Sequence, residues 1–424
     1  MKKSRPYRRT SVKTVNVEKV VAGREGQAAV VGVDISKDWF DLMVQWEEGG
    51  SERVWRADNP GEIGVTVELL KRLAEGRKLT VAMESSGTYQ DPFRWALTRA
   101  GIVPVRVSGK AVKDQSETFD GVSSSHDGKS AAIIAELASR GKCAPWPYEV
   151  REANDDRLEL AMEKMENAQK RLNDAVNALE AQMARHWPEA KLYLDAVSAT
   201  LLQILAKYGG PGGLAGAGAE GRREVARWGG HFLKPEVVDA LIAGAGRTRG
   251  APETEVTRER MRWWAGQALE ARREKAACEK EVETRGRAIP QVAAMAQAGG
   301  WGLATVAWLD LGDPAGYHSG GAYLKAMGMN LKERSSGRYQ GQLKISKRGP
   351  SRVRRWMYFA VLREVQREPV KAWYARKLAA GKRKLCVLVA LMRKLAVALF
   401  QVGGRGQDYN RERLFALPSK MASA

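Results

Sequence analysis

An unbroken apolar run that ends on a carboxylate, Ala28-Ala29-Val30-Val31-Gly32-Val33-Asp34, constrains the fold of this chain more than any other stretch. Its length and β-branched content are those of a buried strand, and Ile35-Ser36-Lys37 turns it into a second strand from Phe40 to Trp46. Another apolar run, Leu79 to Met83, ends the same way on Glu84, ahead of Ser85-Ser86-Gly87 and a helix from about Tyr89 to Ala100. Asp127 opens the helical pattern Ala131-Ala132-Ile133-Ile134-Ala135-Glu136-Leu137. Acids at the ends of separate rigid elements suit a hard divalent cation such as Mg²⁺ or Mn²⁺, which takes oxygen ligands and leaves positions open for phosphate. Acids at such ends also serve as ordinary caps, so spacing alone leaves both readings open.

The charge balance points to a polyanionic partner. Lysine and arginine total 70 against 49 acids, a formal charge of +21 over 424 residues. That excess exceeds what solubility needs, and nucleic acid is the default partner. Cys143, Cys278 and Cys386 are too far apart for a zinc site or a disulfide framework, which fits a reducing cytoplasm. No uninterrupted apolar run of about 18 residues occurs, and the basic N-terminus has no apolar run behind it, so neither a membrane span nor a signal peptide is expected.

Residues 1–26 are basic with little apolar periodicity and read as a disordered arm. From residue 28 the order is strand, strand, a weak strand from Arg53 to Arg56, a helix from Gly61 to Ala74, strand, helix, a strand from Val103 to Val107, then two helices. This predicts a mixed α/β sheet flanked by helices, on the ribonuclease H-like plan in which the first strand is central. Beyond Pro145-Trp146-Pro147, the residues Leu158, Met162, Met165, Gln169, Leu172, Val176, Leu179 and Met183 form a coiled-coil seam of about four heptads. Gln169 is its polar interruption. Glu255 to Glu283, with Met261, Trp264, Ala268, Ala271 and Cys278 on one face, offers the partner helix, as a hairpin arm or a dimer contact. Between them, Leu201 to Tyr208 ends at Gly209-Gly210, and Pro211 to Gly221 reads as a glycine-rich loop.

A mainly helical last domain begins near Ala298-Gly299-Gly300-Trp301-Gly302. Between Leu331 and Lys394, nineteen cations stand against only three acids, which is the pattern of a surface for a nucleic-acid backbone. Trp356, Tyr358, Phe359, Trp373 and Tyr374 interleave with them; some could stack on bases, though helical spacing makes most of these core. Within the basic stretch, Glu333-Arg334-Ser335-Ser336-Gly337 is a polar turn; a serine there is either a nucleophile toward phosphate or simply a turn residue.

Four ordered motifs carry a resemblance: GVDISK (Gly32 to Lys37), MESSGTY (Met83 to Tyr89), SHDGKSAAIIAEL (Ser125 to Leu137) and ERSSGRYQGQLKISKRGPSRVRR (Glu333 to Arg355). Together they resemble the insertion-sequence family 110 transposases, DEDD recombinases whose N-terminal domain is similar to Holliday-junction resolvases of the RuvC type. The resemblance implies a RuvC-like domain at 27–147, a coiled-coil linker with a helical insert at 148–290, a serine transposase domain at 291–405 and a tail at 406–424.

It also implies that Asp34, Glu84 and Asp127 are catalytic metal ligands for Mg²⁺ or Mn²⁺. The fourth acid of the pattern falls at Ser130, a departure, with Asp120 as a weak stand-in. The family nucleophile maps onto Ser335, with Ser336 as the alternative shifted by one residue. Arg334, Arg338, Lys344, Lys347, Arg348, Arg352, Arg354 and Arg355 would hold nucleic acid. The implied partners are a bridge (guide) RNA, target and donor double-stranded DNA, and further copies of the chain in a dimer of dimers. The implied setting is the bacterial cytoplasm at the nucleoid. The implied reaction is strand cleavage and rejoining through a phosphoserine. The alternatives are a resolvase that uses water as nucleophile, and a non-catalytic RNA-binding relative.

Overall fold

The computed structural model describes residues 7–85, 87–122, 124, 126–333, 335–336, 339–341 and 343–412, with the side chains of Ser335, Tyr339 and Gln340 outside that description. The chain divides into two compact units, Met1–Val150 and Arg151–Ala424.

The first unit is a mixed seven-stranded sheet in the order β1-β4-β3-β2-β5-β6-β7. Its strands are β1 (Arg9–Ser11), β2 (Ala29–Ile35), β3 (Trp39–Trp46), β4 (Val54–Asp58), β5 (Leu79–Glu84), β6 (Val105–Val107) and β7 (Cys143–Pro145). The carboxylate-ended run is the central strand β2, antiparallel to β3 and parallel to β5. Strand alternation then sorts its side chains. Val31, Val33 and Ile35 join Val81, Met83, Leu70 and Phe93 in a core beneath helices α2 (Ile63–Ala74) and α3 (Asp91–Arg99). Short helices α1 (Val17–Val21) and α4 (Gly109–Gln115) flank the sheet. The opposite face, which carries Gly32 and Asp34, is covered by α5 (Asp127–Ser139).

Gly32 makes that covering possible. A β-carbon there would lie 2.0 Å from the Ala131 carbonyl oxygen and 2.4 Å from the Ala135 nitrogen, so only glycine lets the helix backbone rest on the strand.

The reading of residues 1–26 as a disordered arm is corrected over residues 7–26. Arg9–Ser11 pairs in parallel with Val54–Arg56, and Val12 and Val17 are buried. Valines spaced at 12, 15, 17, 20 and 21 supply the apolar contacts, a signal outweighed by the density of cations when the sequence is read alone.

The second unit is built on two long helices, α6 (Ala153–His186) and α11 (Glu255–Gly286). They form an antiparallel intrachain hairpin: Asn154 Nδ2 donates to the Arg285 carbonyl near one end, and His186 Nδ1 meets the Ala251 carbonyl near the other. Leu158, Met162, Met165, Leu172, Val176, Leu179 and Met183 are buried in the seam, opposite Met261, Ala265, Ala268, Ala271, Cys278 and Val282. Gln169 donates to Asn173 of its own helix, so it does not set pairing across the seam.

Between the long helices lie α7 (Ala199–Tyr208), α8 (Pro211–Gly216), α9 (Gly218–Gly229) and α10 (Pro235–Gly246). The segment Pro211–Gly221, expected as a loop, is helical, because Pro211 occupies the first helical turn and Leu214 is buried against the α7–α10 core. Gly213 is forced by packing, since a β-carbon there would lie 2.0 Å from the Tyr208 carbonyl oxygen.

The other end of the hairpin packs into a core with α12 (Pro290–Gly299), α13 (Trp301–Leu311), α14 (Gly320–Ala326), α15 (Ser351–Glu364), α16 (Val370–Ala379) and α17 (Lys384–Arg405). By length and composition α17 could cross a membrane, yet it packs on α12, α14 and α15 with Leu391, Leu395 and Leu399 buried among them.

Candidate metal centre and serine ribbon

In the first unit the sheet register brings the predicted acids together. Met83 pairs with Val33, so Glu84 ends β5 abreast of Asp34 at the end of β2. Gly32 seats the start of α5 over the same face, which brings Asp127 and Ser130 toward Asp34. The result is a mutual electrostatic burden. Asp34 is pushed up to about 6 by burial first, then by the neighbouring Asp127 and Glu84 carboxylates, while a hydrogen bond from Ser130 partly offsets the rise. Burial also raises Glu84. Gly109 allows α4 to approach it, since a β-carbon there would lie 2.2 Å from Glu84 Oε1.

A carboxylate raised by desolvation and by like charges is one that a divalent cation would stabilise, so the donor set fits such an ion. Among the described residues, no group of three His, Cys, Asp or Glu side chains already stands in cation-holding geometry. Asp127 is engaged instead with neighbouring donors: its Oδ2 accepts from Trp39 Nε1 at 2.9 Å and from Arg56 Nη2 at 3.2 Å.

Asp120, considered as a stand-in for the fourth acid, is corrected. It is tied to Lys129 Nζ at 2.7 Å and accepts from the Tyr7 hydroxyl at 3.0 Å and the Val122 amide at 3.1 Å. Lys129 is itself buried, and its ammonium also donates to the carbonyls of Val122 and Ser124, so Asp120 and Lys129 form a structural pair that anchors the loop before α5. The residue that meets Asp34 from α5 is Ser130, whose neutral hydroxyl donates to the Asp34 carboxylate. Converting it to an acid, Ser130→Asp, is expected to tighten Mg²⁺ about tenfold, because ligand charge governs affinity for hard cations. It should also cost about 1 kcal/mol of stability in metal-free buffer through added repulsion. Calorimetric Mg²⁺ titration and urea melts check both halves, and equal affinity would place residue 130 outside the centre.

Sequence reading passed over Asp41, Arg9, Arg56 and Trp39. Asp41 is wholly buried and lies directly across the ladder from Asp34. The available signal was a charge inside the otherwise apolar strand Phe40-Asp41-Leu42-Met43-Val44.

In the second unit the serines lie on a β-ribbon. Strand β8 (Leu331–Lys332) pairs antiparallel with β11 (Lys344–Ile345), and within that span β9 (Ser335–Ser336) pairs with β10 (Tyr339–Gln340), Gln340 opposite Ser335 and Tyr339 opposite Ser336. Ser336 is exposed. The Ser335 side chain, Arg334 and Arg338 lie outside the described residues. Lys344 stands directly opposite Lys332, both exposed, a like-charge pairing that a polyanion would relieve. Ser346 Oγ donates to Asn330 Oδ1 and Lys347 N to the Gly328 carbonyl at 2.8 Å, which extends the ladder and leaves Lys347, at φ 57°, and Arg348 exposed.

Two of the arginines expected to hold nucleic acid make contacts within the fold. Arg352 is held by Glu159, Glu166 and Asp310, joining α15 to α6 and α13. Arg354 Nη1 donates to the carbonyls of Met327, Gly349 and Pro350, at 3.1, 2.7 and 3.2 Å. Arg355 is paired with Glu166 at 2.6 Å, with about half its side chain exposed. Trp373 is core, and Trp356 Nε1 bonds Glu166, leaving Phe359 as the exposed aromatic of α15.

Three part-buried carboxylates, Asp34, Glu84 and Asp127, gather beside the central strand of a mixed sheet, an arrangement of the ribonuclease H-like class. Residues 31–188 match the model for DEDD transposases of the IS110 type, and residues 299–375 match that for the transposase IS116/IS110/IS902 family, together more than half of the chain. The chain belongs to the IS110 family of transposases. No curated protein matches it.

Proposed function

We propose that the chain is an RNA-guided DNA recombinase that cuts and rejoins strands through a phosphoserine, with divalent metal at the carboxylate cluster. Support comes chiefly from the pairing of two features: a crowded acidic cluster around Asp34, and a serine-bearing ribbon edged by exposed Lys332, Lys344, Lys347 and Arg348. Ser335 Oγ gives up its proton and attacks the scissile phosphorus, an oxygen–phosphorus bond forms, the P–O3′ bond breaks, and the leaving 3′-oxygen takes up a proton to become the 3′-hydroxyl. The reverse reaction with another strand's 3′-hydroxyl restores the serine, so the bond energy is conserved without a nucleotide cofactor.

Asp34, Glu84 and Asp127 would hold a divalent cation, which would supply Lewis-acid polarisation of the phosphate. Ser130 holds Asp34 by its hydroxyl, and the exposed lysines fix the backbone. Guide RNA chooses the sequence by base pairing while the protein holds shape and backbone. The working assembly is a dimer of dimers in the bacterial cytoplasm.

The experiment is cleavage of a matched DNA with co-purified RNA in Mg²⁺, with the protein trapped by denaturation. A protein–DNA adduct supports the reading. Cleavage without an adduct would favour water as nucleophile, and binding without cleavage would favour a non-catalytic RNA-binding role.

Phosphate contact by the ribbon carries its own prediction. Lys344→Ala with Lys347→Ala should flatten the log-affinity versus log-salt slope by about one unit per lost contact. Arg354→Ala should leave the slope alone and instead cost about 2 kcal/mol of stability, since carbonyls of Met327, Gly349 and Pro350 lose their donor. Salt titration of binding and thermal melts separate the two effects.

A further inference from the structure

Asp41 has no exposed surface, and a buried carboxylate needs counter-charges. Two guanidinium groups supply them. Arg56 donates through Nε at 2.7 Å and Nη2 at 3.0 Å, and Arg9 through Nε at 2.9 Å. Both arginines extend to Asp127, with Arg56 Nη2 at 3.2 Å and Arg9 Nη2 at 3.7 Å from Oδ2. The Trp39 indole N–H donates to that same oxygen at 2.9 Å, and the Trp39 ring lies 4.8 Å from the Arg56 guanidinium carbon. Two hydrogen-bond donors and a second guanidinium at ion-pair distance thus converge on Asp127 Oδ2, whose lone pairs a cation would require. Arg9 reaches the cluster only because β1 pairs with β4, so the N-terminal strand is part of the centre.

We propose that Arg56, with Arg9 and Trp39, forms a counter-ion clamp that holds Asp127 away from the cation position and yields it when a divalent ion arrives. The inference rests on the metal reading of the cluster. Arg56 can release Asp127 without leaving, because its two bonds to Asp41 keep it in place. Asp41 is therefore the anchor, and Asp127 the exchanged partner. Asp34, Asp41, Glu84 and Asp127 set against Arg9 and Arg56 leave an excess of negative charge that draws a dication in. Once Asp127 is taken, the guanidinium remains beside the site with a free donor edge toward an incoming phosphate.

The test uses the full-length protein labelled with 5-fluorotryptophan and Mg²⁺ as the probe, followed by ¹⁹F NMR and calorimetry without DNA. The Trp39 resonance is assigned from its loss in Trp39→Phe. Mg²⁺ should shift that resonance with the calorimetric midpoint, Arg56→Gln should bind Mg²⁺ about tenfold tighter, and Arg56→Lys should fall between. If Arg56→Gln fails to fold, Trp39→Phe, at a partly exposed position, should still tighten binding about twofold. Mg²⁺ binding with an unmoved Trp39 resonance overturns the clamp and leaves the metal reading standing, as does unchanged or weaker binding in the folded variants. Absence of Mg²⁺ binding in both wild type and variants overturns the metal reading and the clamp together.

Discussion

Ser335→Ala is expected to abolish the covalent protein–DNA adduct and strand exchange while leaving DNA and RNA affinity nearly unchanged. The expectation follows from the reaction: the lost oxygen is the atom that would join phosphorus, and water at the same place would have no stored bond to return. The full barrier reduction owed to covalent catalysis disappears, so exchange should fall by at least about a thousandfold. Binding persists because the substitution removes no charge, and Lys332, Lys344, Lys347 and Arg348 remain. Ser336→Ala is the matched comparison, since Ser336 is exposed on the same strand and pairs with Tyr339. Loss of the adduct only in Ser336→Ala moves the nucleophile by one residue; an adduct in both single variants removes the ribbon from the chemistry. The measurement is denaturing-gel detection of a labelled strand retained by the protein.

Much of this architecture was legible in the sequence, for a physical reason: β2 and β5 are apolar runs ended by acids, and a strand buried on both faces advertises itself by composition. The long helices were legible through their seam. What escaped were contacts that depend on register. Asp41 is paired with Asp34 only once β2 and β3 are aligned, and Arg9 reaches both Asp41 and Asp127 only after an N-terminal strand adds at the sheet edge. The intramolecular partners of Arg352 were hidden as well, because charge density in a sequence does not reveal them; Glu159 and Glu166 lie almost two hundred residues earlier. The glycine-rich segment after Tyr208 misled for the opposite reason. Its glycines accommodate close helix packing at Gly213, and chain freedom was the wrong inference from them.

Gly32→Ala should be the most damaging single-atom change in the first unit. The added carbon meets backbone, the Ala131 oxygen at 2.0 Å and the Ala135 nitrogen at 2.4 Å, and neither can rotate away as a side-chain tip would. Relief requires α5 to lift from β2, and the buried Ala131, Ile134 and Ala135 lift with it. Overpacking against backbone is expected to cost about 3 kcal/mol or more. The same displacement carries Asp127 and Ser130 away from Asp34, so protein that remains folded at low temperature should also lose Mg²⁺ affinity and show Asp34 relieved of its neighbours. Gly64→Ala is the control: it lies in α2 with no atom within 4 Å of the added carbon, and should be neutral or stabilising by up to about 1 kcal/mol. Urea unfolding of the two variants, with Mg²⁺ calorimetry on each, reads both consequences. Wild-type stability in Gly32→Ala would mean that α5 does not rest on the central strand, and the acids would then lack the scaffold that brings them together.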